Sequence, residues 1–126
     1  MLRYFNLWLG MGWLLVLIIC YLSLSSSPPD LNIEFQYIDK VGHFGSYFLL
    51  MFWFAQLYKT PSVRLRYLLF FIFMGATLEV LQGIGGVRFF EYSDMLANTF
   101  GVAAAWLISK NHLNNLFLML EKIIIR

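Results

Sequence analysis

Charge is what this chain has least of. Asp, Glu, Lys and Arg make up 13% of its 126 residues, where an ordinary soluble domain carries about 25%. A soluble helical fold needs polar faces on its helices, and the long runs here have almost none. A net charge of +2 offers no basic surface, so nucleic acid is excluded as a partner. The single cysteine, Cys20, cannot form an intramolecular disulfide; it lies inside an apolar run and reads as a small packing residue. His43 with nearby carboxylates could in principle hold a divalent metal, but one histidine without His-x-x-His spacing is no signature. No metal and no other cofactor is expected. The glycines of residues 83–86 are not a phosphate loop, since no strand precedes them and no Lys-Ser/Thr follows. At most their backbone N–H groups could meet an anion near Arg88. Proline occurs only at 28, 29 and 61, so helix breaks are few.

What fills the chain instead is apolar sequence, 60% of all residues. Four runs stand out, at about 5–24, 41–58, 65–84 and 94–109. A membrane span needs about 20 mostly apolar residues to cross ~30 Å of hydrocarbon. The first three meet this and the fourth is marginal. Ser-Ser-Ser-Pro-Pro at residues 25–29 stops the first helix. Asp39 is expected as cap or first-turn acid of the second, and Lys59, Thr60 and Pro61 end it. The third starts around residues 62–64 and fades at residues 83–86. Ser93 is the expected N-cap of the fourth, with Asp94 in its first turn. The first run is longer than the ~7–15 apolar residues of a signal peptide core, so it is expected to be retained. The tail, residues 113–125, repeats apolar residues at helical spacing opposite Asn114, Asn115, Glu121 and Lys122. It is too short to span and reads as an interfacial helix. The expected fold is an all-α membrane protein of one domain, residues 1–126: a four-transmembrane-helix bundle with a short C-terminal interfacial helix.

Lys and Arg set the orientation. With the N-terminus inside, one side holds Arg3, Lys59, Arg64, Arg66, Lys110, Lys122 and Arg126, and the other holds only Lys40 and Arg88. Both termini are therefore expected in the cytoplasm and the two acidic links outside.

On this topology the unusual residues converge. Asp39, Lys40, His43 and Tyr47 share a face of helix 2, at spacings of three and four. Glu79 and Gln82 lie on the outer half of helix 3, and Arg88 in the link after it. Asp94 and Asn98 share a face of helix 4. Glu79 is the sharpest of these. It falls about a turn and a half inside the end of its helix, where an unpaired carboxylate is costly. It should face the bundle and pair with His43, Lys40 or Arg88. The bland reading is an ion-pair knot that ties three helices together; the sharper one is a functional site built from the same residues. Small residues (Gly42, Gly45, Gly75, Gly101) are expected at close helix contacts, and the aromatics as lipid-facing bulk and interface belts.

These same residues carry a resemblance. Asp-Lys-x-x-His at 39–43 is followed by Glu-x-x-Gln at 79–82, Arg88, and Asp-x-x-x-Asn-x-x-Gly at 94–101. With the Ser-Ser-Pro stretch at 26–28, the order resembles the VanZ-like family of small bacterial polytopic membrane proteins. The resemblance implies the bacterial plasma (inner) membrane. The namesake is associated with resistance to the glycopeptide teicoplanin, while the family has no agreed biochemical activity and gives no catalytic residue to carry over.

Three functions remain open. One is an outward-facing pocket that binds an anionic membrane lipid or lipid-linked cell-envelope head group. Its expected lining is Asp39, Lys40, His43, Tyr47, Glu79, Gln82, Arg88, Asp94 and Asn98, with Arg88 and Lys40 meeting phosphate or carboxylate. Another is an enzyme on such a substrate, with His43 or Glu79 as acid or base. The third is a structural or assembly role, with a homo-oligomer or a membrane protein partner.

Overall fold

Helix limits in this chain follow its breakers, not its charges. The computed structural model describes residues 1–25, 34–86, 89–111, 113 and 115–125. These form five helices and, among the described residues, no strand: α1 (Phe5–Ser25), α2 (Glu34–Leu57), α3 (Pro61–Ile84), α4 (Tyr92–Asn111) and α5 (Leu116–Ile124). The expected stop at residues 26–29 lies outside the described residues. α3 opens on Pro61, which needs no N–H bond in the first turn, and the Arg64 N–H closes onto the Thr60 carbonyl at 3.1 Å. It ends as its glycines require. The Gly85 N–H bonds the Leu81 carbonyl, and Gly86 takes φ +65°, a region open to glycine without strain.

Two helix starts differ from expectation. α2 begins at Glu34, so Asp39 lies in its second turn and caps nothing. Asp39 and Lys40 interrupt the apolar run but not the helix, because residues 34–38 hold neither proline nor glycine. α4 begins at Tyr92. The Glu91 carbonyl accepts from the Asp94 N–H at 3.1 Å and the Met95 N–H at 3.4 Å, so Glu91 holds the cap position. The Ser93 hydroxyl donates instead to Glu91 Oε2 at 3.1 Å.

Side-chain contacts fix the helix directions. Gln82 near the end of α3 reaches Ser23 near the end of α1. Lys40 near the start of α2 reaches Asp94 at the start of α4. Arg64 near the start of α3 reaches carbonyls at the ends of α2 and α4. The four long helices thus alternate in direction. α2 is the central one and packs against all the others, most extensively against α4. Its Tyr47, Leu50, Met51, Phe54 and Ala55 form the core, with Val16, Phe71, Val102, Ala105 and Phe117 closing round them.

Burial is inverted relative to a soluble protein. Leu14, Leu17, Leu69, Phe73, Leu96, Phe100 and Leu107 point outward, while Gln56, Arg64, Glu79, Gln82, Asp94, Asn98 and Glu121 are buried. Two helices, α1 and α3, are long and apolar enough to cross a membrane; at ~1.5 Å per residue they extend about 31 and 36 Å. The expectation of four spans is met only for these two by length and composition. α2 carries Asp39, Lys40 and His43 in its first half, and α4 carries Asp94 and Lys110.

The tail corrects a second expectation. α5 is amphipathic, but Glu121 is not on its open face; it is buried beside Phe117. Its carboxylate accepts from the Arg3 N–H at 2.7 Å, the Tyr4 N–H at 3.0 Å and the Trp8 indole at 2.9 Å. It thereby serves N–H groups at the start of α1 that have no partner within that helix.

Candidate functional site

The convergence expected from spacing is present for the described residues. Asp39, Lys40, His43 and Tyr47 come from α2, Glu79 and Gln82 from α3, and Asp94 and Asn98 from α4. All lie at the end of the molecule where α2 and α4 begin and α1 and α3 end. Arg88 lies outside the described residues. Two glycines allow the approach. A Cβ on Gly101 of α4 would overlap the Phe44 carbonyl of α2. A Cβ on Gly75 of α3 would sit 3.1 Å from the Tyr47 ring and 3.2 Å from Asn98 Cβ. Gly42 and Gly45, expected at such contacts, meet nothing within 4 Å. Cys20 packs beside Met74 of α3.

His43 is the hub. Its Nδ1 lies 3.0 Å from Asn98 Oδ1 and 3.6 Å from Glu79 Oε1. Its Nε2 lies 3.6 Å from Asp94 Oδ2 and 3.8 Å from Asp39 Oδ2. The Asn98 carbonyl oxygen can only accept, so the Nδ1 proton belongs to that bond. Nε2 is left facing two carboxylates. Glu79 is 1% exposed and faces the bundle, as its depth requires.

Of the partners expected for Glu79, the structure brings His43 within 3.6 Å, while Lys40 pairs elsewhere. Its ammonium joins Asp94 Oδ1 and, at 2.6 Å, Glu91 Oε2; neither is Glu79. The Lys40 ammonium holds the Glu91 carboxyl below the usual carboxylate range. Gln82 donates to the Ser23 carbonyl of α1, which brings the end of α1 into the site.

Between these elements lies a cavity of about 280 Å³. Its polar wall is Ser23, Asp39, His43, Ser46, Tyr47 and Gln82, and its apolar wall is Ile19, Leu22 and Ile38. The Tyr47 hydroxyl is buried with no hydrogen-bond partner among the described residues. Sequence reasoning missed Ser23, Ser46 and Glu91 as parts of this region. A signal existed for Ser23, which follows Ile19 and Leu22 at spacings of four and one and so extends their face. Nothing in the sequence ties Glu91 to Lys40 across an intervening helix.

A second polar network, also missed, occupies the opposite end. Arg64 is buried and donates to the carbonyls of Ala55, Tyr58 and Ser109. Gln56 accepts from the Leu116 N–H at 2.9 Å and donates to the Leu113 carbonyl. These bonds serve helix ends, where backbone groups lack partners and the dipole favours a cation at the carbonyls. The network binds backbone groups at helix ends and reads as architecture.

Among known proteins, no curated protein and no solved structure matches the chain. A family model described as VanZ/LLP1 matches residues 5–118. The matched stretch begins with α1 and ends within α5, so it holds both apolar helices of spanning length and every helix that lines the cavity. By that extent this membrane-type chain belongs to the VanZ/LLP1 family.

Proposed function

We propose that this chain is a multi-pass plasma-membrane protein whose polar cavity holds the head group of a membrane lipid or lipid-linked cell-envelope intermediate. α1 to α4 all cross the bilayer in this reading, with α5 along its inner surface. The observation that carries it is the composition of the cavity wall. Hydrogen-bonding groups from α1, α2 and α3 share the cavity with Ile19, Leu22 and Ile38, which suits a molecule with a polar head and an apolar chain. The cavity lies at the end of the bundle, where a lipid's head group sits. An anionic head group needs a cation, and Lys40 is already held by Glu91 and Asp94. In this reading Arg88 is the residue that meets the anion.

The test is native mass spectrometry of protein purified with its lipids. The unaltered chain should retain a lipid adduct that His43→Asn and Gln82→Ala lose while staying folded. Arg88→Ala should lose the anionic species selectively. An identical adduct in all four proteins would sink the reading.

One observation favours an enzyme as the second reading. The Asn98 bond orients the His43 ring with Nε2 toward carboxylates, an arrangement suited to acid–base work on a bound head group. Turnover of a lipid-linked substrate by purified protein, absent in His43→Asn, would select it.

A further inference from the structure

The end of the molecule where α2 stops and α3 begins holds a second cleft, of about 480 Å³, within the ~300–1,000 Å³ of small-molecule sites. Its wall is Trp13 of α1, Tyr58 just past α2, and Val63, Arg66, Tyr67 and Phe70 of α3. The four α3 residues recur at spacings of three and four, so they form one face of that helix. Near the mouth the Tyr58 and Tyr67 rings stack at 5.2 Å. Trp13 and Phe70 meet edge-on at 6.1 Å, about 12 and 14 Å inside their helix starts at ~1.5 Å per residue. The wall is thus apolar in its depth and carries one charge, Arg66, nearer the mouth.

That charge is exposed and, among the described residues, has no ion-pair partner. Lys59, next in sequence to Tyr58, has none among them either. The one acidic side chain described at this end, Glu121, is taken up by N–H groups of α1. Side chains on a helix tilt toward its N-terminus. For α3 that is the end of the molecule, so the Arg66 guanidinium is carried toward head-group level while its stem covers the apolar wall.

We propose that this cleft is a second lipid site, which takes one anionic glycerophospholipid from the leaflet on the Lys59 side, its phosphate on Arg66 and an acyl chain against Trp13 and Phe70. A guanidinium pairs with phosphate oxygens two at a time, and the aromatic faces below it supply apolar area for the chain. A soluble anion leaves that aromatic depth unfilled. The same end of a second copy of this chain brings cations to cations. The site shares with the head-group reading only the membrane placement of α1 and α3, and it uses none of the residues round His43.

The experiment titrates delipidated, detergent-purified full chain with dioleoyl phosphatidylglycerol or phosphatidylcholine, read by native mass spectrometry. The second lipid carries the same phosphate plus a cation, which Arg66 and Lys59 disfavour. One saturable phosphatidylglycerol per chain is expected, bound about tenfold tighter than phosphatidylcholine or better. Arg66→Gln should abolish that preference with an unchanged thermal melt, since the side chain is exposed. Phe70→Ala should weaken both lipids. Lys122→Gln removes a cation of the same end from outside the cleft and should leave the preference intact, as should His43→Asn. Equal affinity of the unaltered chain for the two lipids overturns the site. So does a preference kept by Arg66→Gln, a loss in Lys122→Gln as large as that in Arg66→Gln, or unchanged binding by Phe70→Ala. Binding of glycerol phosphate as tight as that of the lipid assigns the cleft to a soluble anion and also overturns it. An adduct lost in His43→Asn yet kept in Arg66→Gln places the lipid in the first cavity, so this site falls while the head-group reading stands.

Discussion

Gly101 sets how closely α2 and α4 approach. A Cβ there would overlap the Phe44 carbonyl oxygen and lie 3.1 Å from the Phe48 nitrogen. Both are backbone atoms inside a helix and cannot move aside singly. Gly101→Ala should therefore lower stability by about 2 kcal/mol or more, in the range of overpacked cores. It should also loosen the cavity, because Asp94 and Asn98 share that helix. Gly45 is the control. A Cβ there meets nothing within 4 Å, and alanine is the better helix former by roughly 0.5–1 kcal/mol. Thermal melts in detergent should show Gly101→Ala falling while Gly45→Ala holds or rises; equal melts would mean the two helices are not locked by backbone contact. The pair also shows what a residue's identity discloses. Small size was legible at Gly42, Gly45, Gly75 and Gly101 alike. Which of them touch a neighbour depends on the azimuth of each helix, and size carries no azimuth. Glu79 was more legible, because lipid would not solvate its carboxylate, so only the inward face was open to it.

Elements are tied together at their ends by side chains from other elements. α5 has Asn115 at its N-cap with no side-chain cap bond, and Gln56 of α2 supplies the acceptor for Leu116 N–H. α1 has no acid in its first turn, and Glu121 of α5 supplies one. Trp8 stacks on Phe117 at 4.3 Å and its carbonyl accepts from Trp53, so the contact joins three helices. Burial by itself would raise the Glu121 carboxyl. The N–H groups of Tyr4 and Arg3 and the Trp8 indole outweigh it and hold the group below its ordinary value. A carboxyl depressed in the folded state supports the fold fully above its unfolded value, near ~4.3, and that support is lost as pH falls through the lower folded value. Fluorine NMR of fluorotryptophan-labelled protein should show a Trp8 resonance steady from neutral pH until the medium becomes more acidic than an ordinary carboxylate requires, then shifting. Glu121→Gln should shift that resonance at neutral pH and remove the titration; an unchanged acid transition in the variant would place its origin elsewhere. Helical periodicity revealed α5 but not its docking. Glu121 looks like a polar-face residue until three donors from α1 are brought beside it.

At the scale of the molecule, the alternating helices and the sorting of charge point the same way. Length and hydropathy made the helices legible, because apolar runs and three prolines leave few other solutions. Their true limits were less so, since Asp39 and Lys40 break hydropathy without breaking α2. The aromatics expected at lipid contacts divide between surface and interior. Phe54, Phe71 and Phe117 are buried while Phe73 and Phe100 face out, a choice made only when helices pack. The site at the starts of α2 and α4 was foreseeable from depth, whereas its polar counterpart round Arg64 was not, because Arg64 looked like one more topology charge. Arg64 now adds to the argument about sidedness. It is buried among carbonyls, so it does not decorate a surface as Lys59 and Arg66 do. Without it, Arg3, Lys59, Arg66, Lys110 and Lys122 still outnumber Lys40 among the described residues, and Lys40 is neutralised by two acids. The bias of positive charge thus survives, and it supports the proposed orientation, with the Lys59 end in the cytoplasm and the cavity outside. In a Cys20→Ser background, a membrane-impermeant thiol reagent added to intact cells should label Glu91→Cys and spare Lys59→Cys. Permeabilised cells should label both. Labelling of Lys59→Cys alone in intact cells would turn the molecule over, and would move the cavity, with its acid-ringed histidine, to the cytoplasmic leaflet.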